Sequence, residues 1–312
     1  MLMEPEAALG PHSSNPSDVV ASATKMEVRQ EKMTNKDKVE CVFHVWTPSN
    51  QSRPLGVVVV FHGLGGHGLY PTVRYLSELL AENQFVVYSL DFCGHGESKG
   101  LRGLLPSPAY LLRDAHQVCG IAREAFPHLP FFLAGASMGG SIALLTSLEL
   151  PFDTKLLLLT PLVSLPIPTW QRWVVSRLAS WAPRMGLTKA SSDALNYHLR
   201  DDERRQEARD DPLVYKGRLR AATARTSIEL SDMVRGKLNQ FSSPMLCLLA
   251  LEDYVVDNDG IDDLIEQSTS NDKTLKEYNA LHGLMCEALP LRNDIERDIT
   301  SWVRERAGQG EN

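Results

Sequence analysis

Short, continuous apolar runs alternate with amphipathic stretches along most of this chain. Val57–Phe61, Phe85–Leu90, Phe131–Ala134, Lys155–Thr160 and Met245–Ala250 read as strands buried on both faces of a parallel sheet. Val39–Trp46, VECVFHVW, is strand-like through its β-branched and aromatic residues, and Thr274–Tyr278 is a further strand. Between these runs, Val73–Glu82 sets Val73, Leu76, Leu79 and Leu80 on one helical face. Tyr110–Ala125, Gly140–Glu149, Ile261–Gln267 and Asp294–Arg304 complete the helical stretches. Such alternation predicts an α/β fold: a mostly parallel sheet flanked by helices on both faces. The rhythm stops after Pro161 and resumes at Met245, so the core spans 36–160 and 241–312 and is interrupted by a helical insertion, 161–240. Residues 1–35 are polar and aperiodic, with breakers at Gly10-Pro11 and Asn15-Pro16, and predict a flexible N-terminal tail.

Composition narrows the function. A net charge of -7 without any basic tract leaves no electrostatic footprint for nucleic acid. Cys41, Cys93, Cys119, Cys247 and Cys286 are dispersed, without metal-ligand spacing, so neither a disulfide framework nor a metal is expected, and a reducing compartment is. No leader-like N-terminus and no apolar run near the ~20 residues of a membrane span stand in the chain. The expected location is cytoplasmic or peripheral on a membrane.

The chemistry concentrates in loops that follow strands. Gly135-Ala136-Ser137-Met138-Gly139 is a GxSxG between a strand and a helix, the context of a nucleophile elbow, where a strained turn projects the serine hydroxyl. A serine needs a base, and in this topology an acid and then a histidine follow it in the chain. His282 comes directly after the last strand, beside Gly283, whereas His62, His67 and His95 precede the serine and fit that order badly. Asp253 is the first choice for the orienting carboxylate, with Glu252 and Asp257 as competitors in the same loop. His62-Gly63-Leu64-Gly65-Gly66-His67 lets backbone amides approach a developing oxyanion; Leu64 and Met138 are the expected donors. A phosphate loop is the rival for this stretch, but no Walker lysine or GxGxxG spacing supports it. Asp91–Ser98 is a third glycine-rich turn, expected to be structural through Asp91. Cys93 and Cys286 lie off the elbow; Cys286 is expected to be inert and buried, with a redox-sensitive thiol as the alternative.

These motifs, in this order, resemble the monoacylglycerol lipase and lysophospholipase branch of the α/β hydrolases, which includes caffeoylshikimate-type esterases. The resemblance covers roughly residues 36 to 306. It rests on HGxGxH at His62–His67, DxxGHGxS at Asp91–Ser98, GxSMGG at Gly135–Gly140, the acid motif Glu252–Asp257, the His282 loop, Asp211–Tyr215 and the Arg74-Tyr75 pair. It implies an α/β-hydrolase fold, Asp253 as the acid, Arg74 near the substrate, and ester hydrolysis. Gly66 and Ala136 stand where the animal lipases carry a glutamate and commonly a histidine, and the stretch from His67 to Arg74 is longer. The ester chemistry therefore carries over and the glycerol preference does not.

Residues 161–240 are expected to cap the serine. Trp170, Trp173, Val174, Leu178 and Trp181 recur at three- and four-residue steps, an apolar stripe that either packs on the core, lines an acyl tunnel or docks on lipid. Trp170 and Trp173 are thus candidate pocket residues, while Leu199–Arg209 is highly charged and expected to be solvated. The substrate expected is a small acyl ester, a lipid monoester such as a monoacylglycerol or lysophospholipid, cleaved without cofactor or metal. A serine aminopeptidase, an acyltransferase and a non-enzymatic receptor on the same fold are the alternatives.

Overall fold

The computed structural model describes residues 26–48, 53–188 and 198–308. Eight strands form one sheet: β1 (Glu27–Thr34), β2 (Glu40–Thr47), β3 (Gly56–Phe61), β4 (Phe85–Leu90), β5 (Phe131–Ala136), β6 (Lys155–Leu159), β7 (Met245–Ala250) and β8 (Lys273–Tyr278). Their order across the sheet is β1-β2-β4-β3-β5-β6-β7-β8, antiparallel for β1–β2 and β2–β4 and parallel from β4 onward. The uninterrupted apolar runs follow from burial on both sides. Val57 and Val59 of β3 face one core, and Val58 and Val60 the other.

Helices fill both faces. Leu76 and Leu80 of α1 (Pro71–Glu82) pack with Ile299 and Val303 of α8 (Leu291–Gly308) against one face. On the other lie α2 (Pro108–Ala125), α3 (Met138–Ser147), α6 (Ala221–Arg235) and α7 (Asp259–Gln267), through Val118, Ile142, Leu230 and Ile261. Between β6 and β7 come α4 (Thr169–Trp181), α5 (Asp202–Asp210) and α6. Helix α4 packs on α6, where Arg172 meets Asp232 at 2.7 Å. Among the described residues, no helix is long and apolar enough to cross a membrane.

Three expectations need correction. The tail predicted over 1–35 ends early, because β1 occupies Glu27–Thr34; residues 1–25 lie outside the described residues. The strand EVRQEKMT escaped a periodicity reading because it is an exposed edge with charged side chains, the usual protection of an open edge. The stripe on α4 does not pack on the core: Trp170, Trp173 and Trp181 are 67%, 62% and 86% exposed, and only Ala179 of this helix is buried. Lastly, Leu199–Arg209 is not simply solvated. Leu199 and Ala208 are buried, Glu207 accepts from Arg74 at 2.5 Å and from the Tyr75 hydroxyl at 2.9 Å, and the Arg204 guanidinium stacks 3.4 Å above the Tyr75 ring.

Phe132 joins the sheet to α8: it is fully buried, edge-on to Phe85 at 5.6 Å and to Trp302 at 6.2 Å. Phe132→Ala should cost about 3–5 kcal/mol of stability, read as a lower denaturant midpoint with an unchanged slope.

Candidate active site

Strand β5 runs into α3 through a single residue, Ser137, with φ 56 and ψ -122. A non-glycine residue there is strained by about 1–3 kcal/mol and persists only where its surroundings hold it. They do: the Ser137 N–H donates to the Leu159 carbonyl at 3.0 Å, and its own carbonyl accepts from Gly140 and Leu162, each at 2.9 Å. The flanking glycines are needed for closeness. A Cβ on Gly135 would stand 2.2 Å from the Gly139 carbonyl oxygen, and one on Gly139 would stand 2.0 Å from that of Phe61.

Asp253 and His282 arrive from the ends of β7 and β8. Asp253, its side chain fully buried, holds His282 Nδ1 on Oδ2 at 2.6 Å. Its Oδ1 accepts the Val255 and Val256 amides at 2.7 and 3.1 Å. Burial pushes this carboxyl up, but the hydrogen bond and charge of His282, with the two amides, hold it below the usual carboxylate range. With Nδ1–H engaged by the carboxylate, Nε2 is left as the proton acceptor. Glu252 turns outward to Arg200 at 3.0 Å, and Asp257 accepts the Asp259 amide at 3.2 Å, so neither competitor meets the histidine. The Thr160 hydroxyl donates to the His282 carbonyl at 3.1 Å, pinning the histidine loop to the end of β6.

Ser137 and His282 line one cavity of about 610 Å³, together with Gly63–Gly66, Tyr70, Ala136, His198, Leu199, Val214, Tyr215, Leu219 and Val255. Leu64 is in the lining, and Met138 opens α3, so its N–H has no carbonyl one turn back to bond. Gly63 lies beside Ser137; a Cβ there would be 3.9 Å from Ser137 Oγ.

Buried histidines brace the glycine loop. His62 donates Nδ1–H to the Gly63 carbonyl at 2.8 Å and accepts the Phe92 amide on Nε2 at 3.1 Å. His67 donates to Asp211 at 2.7 Å and accepts the Leu69 amide at 3.2 Å, while the Tyr215 amide donates to the Gly65 carbonyl at 2.9 Å. Asp91 is structural, as expected: it takes the Gly68 amide at 2.6 Å and the Glu97 amide at 2.8 Å.

The expected pocket residues are not in the lining. Arg74 sits outside the cavity, paired with Glu78 at 3.0 Å and with Glu207, and so fastens α5 to α1. Trp170 and Trp173 also lie outside it, on the exposed side of α4. Cys286 is fully buried, and burial pushes its thiol up to about 12, which leaves it protonated and unreactive. The sequence reading missed His198, whose ring stands 5.8 Å from that of His282. It also missed Arg209 and Lys216, which bring two cationic side chains to the lining.

Burial holds three imidazoles neutral: His62 is lowered to about 3, and His95 and His198 to about 4, from 6.5. Between pH 6.5 and about 4 the unfolded chain thus binds more protons than the folded one, and stability falls as pH falls. Denaturant midpoints should drop steadily through that window. His95→Gln should flatten the dependence by about one proton; a midpoint constant from pH 6.5 to 5 would refute the reading.

Comparison with known proteins gives the family and the fold. The family model Hydrolase_4, described as serine aminopeptidase, S33, matches residues 52–288. The monoglyceride lipase of Mus musculus is 29% identical over 288 residues, spanning 89% of this chain and 92% of that protein. The monoacylglycerol lipase of Mycolicibacterium smegmatis is 30% identical over 273 residues, spanning 85% and 93%. The crystal structure of a soluble variant of the Saccharomyces cerevisiae monoglyceride lipase, in complex with a substrate analog, shares the fold with a TM-score of 0.74 at 20% identity, over 94% of this chain and 99% of that one.

Proposed function

The chain belongs to the serine aminopeptidase S33 family of α/β hydrolases, and from that premise we propose that it hydrolyses lipid monoesters, such as a monoacylglycerol or a lysophospholipid, through an acyl-enzyme on Ser137. It is a hydrolase of monoacylglycerol lipase type. The observation that carries the mechanism is the Asp253–His282 hydrogen bond of 2.6 Å opening on the cavity that also holds Ser137. His282 Nε2 takes the proton as Ser137 Oγ attacks the ester carbonyl, and the Leu64 and Met138 amides receive the oxyanion. The imidazolium, steadied by Asp253, then protonates the leaving alcohol. Water activated by the same histidine releases the acid.

Residues 161–240 act in this reading as the cap. The described part of the insertion brings Leu199, Val214 and Leu219 into the cavity, an apolar wall suited to an acyl chain. Gly66 and Ala136 line it without polar side chains, so the neutral glycerol contacts of the animal lipases have no counterpart at these positions. Arg209 and Lys216 suit an anionic headgroup better, which supports lysophospholipids beside monoacylglycerols. They also argue against an aminopeptidase, which needs a carboxylate to anchor a free amine. Outside the cavity, the exposed tryptophans of α4 and the lack of any acidic residue from 155 to 192 support peripheral contact with a lipid surface.

A fluorophosphonate probe should label the wild type and leave Ser137→Ala unlabelled, and that variant should lose about 10⁶-fold in kcat on a long-chain monoacyl ester. Activity confined to acetyl esters would refute the lipid assignment. Replacing Trp170, Trp173 and Trp181 with serine should reduce co-sedimentation with lipid vesicles while leaving turnover of a water-soluble ester within about twofold. Unchanged sedimentation would remove α4 as the membrane contact.

A further inference from the structure

The two loops that carry Asp253 and His282 are bridged by one side chain from the insertion. Glu252, next to Asp253, accepts Arg200 Nη2 at 3.0 Å, and Glu287, at the far end of the His282 loop, accepts Arg200 Nε at 3.0 Å. The two carboxylates differ in environment. Glu252 is 45% exposed, so its bridge alone contributes little. Glu287 is 1% exposed and spends its other oxygen on the Leu281 amide at 2.7 Å, the residue just before the base. Without the guanidinium this buried carboxylate would lose its counter-ion, an unfavourable state that the loop relieves by moving.

Backbone contacts show that this stretch of the insertion is seated on the same loop. The Gly283 amide donates to the His198 carbonyl at 2.8 Å, the Asp201 amide donates to the Cys286 carbonyl at 2.9 Å, and the Arg204 guanidinium donates to the Met285 carbonyl. Gly283 is pressed against the insertion so closely that a Cβ would stand 2.3 Å from Leu199 Cδ2. Residues 281–287 are therefore shaped from both ends, by β8 and by the insertion.

We propose that Arg200 is a positioning residue, whose forked guanidinium ties the acid loop to the histidine loop and holds Asp253 and His282 in catalytic register while the insertion is seated; the proposal rests on the serine-hydrolase reading. The fork matters. Two donors at a fixed angle meet two carboxylates on different loops, which a lysine ammonium cannot reproduce. A displacement of the base by about 1 Å is enough to slow turnover about 100-fold.

The test is steady-state turnover of a water-soluble ester, with fluorophosphonate labelling rates alongside. Arg200→Ala should lower kcat by about 10- to 100-fold, hold KM within about twofold, and regain activity when guanidinium is added. Arg200→Lys should regain only part. The double variant Arg200→Ala with Glu287→Gln removes the unpaired buried charge; it should recover thermal stability while kcat stays low. Wild-type kcat in Arg200→Ala, an effect confined to KM, or recovery of kcat in the double variant would each overturn the positioning role. Absence of Ser137-dependent labelling in the wild type would overturn the hydrolase reading itself, and the proposal with it.

Discussion

At the centre of the molecule two backbones approach more closely than any side chain permits. Gly139, two residues past Ser137, lies against the carbonyl of Phe61, where an added Cβ would stand 2.0 Å away. That contact presses the turn between β5 and α3 onto the end of β3. The glycine loop leaving β3 then begins beside Ser137. Remove the closeness and the serine would still have its hydroxyl, but the glycine loop would not stand next to it. Strain at Ser137 is a consequence of the same geometry: a chain that must reverse within one residue has few backbone angles available.

Everything else in the site arrives at that point from the C-terminal ends of parallel strands, because such a sheet places successive loops on one edge. Asp253 follows β7 and His282 follows β8, neighbours in the sheet, so their side chains need only short loops to meet. The parallel order thus brings residues separated by 29 positions to 2.6 Å without any long excursion. The insertion leaves the same edge after β6, which is why it can reach both the glycine loop, through Asp211 and Tyr215, and the histidine loop, through His198 to Arg204.

Much of this was legible in the residues because it is local. An apolar strand, a glycine-rich turn and an amphipathic helix each report on their own few positions, and the site sits where they join. Position and resemblance favoured Asp253 over Glu252 and Asp257; that Asp253 takes two amides on one oxygen and an imidazole on the other needed coordinates. What escaped were features set by contacts across the chain. Arg74 reads as a pocket residue until Glu207, from α5, claims it. The tryptophans of α4 carry the spacing of a buried face, and spacing cannot say what lies opposite that face. The polar strand β1 offers no alternation to detect, since it is itself the edge of the sheet and its surface is wet.

The charged half of the insertion shows how such misreadings share a cause. A run such as DERRQEARD looks solvated because each charge is judged alone, and an isolated charge belongs in water. Here Arg204 and Glu207 find ring faces, carbonyls and counter-ions on the core, so the same residues that would solubilise a free helix fasten this one. Contacts of this kind depend on orientation more than apolar packing does, and they permit one seating of α5 where a greasy interface would tolerate several. An insertion seated in that way meets the loop beneath it through oriented contacts. Under the positioning role proposed for Arg200, its polar side chains would bear on catalysis as well as on solubility.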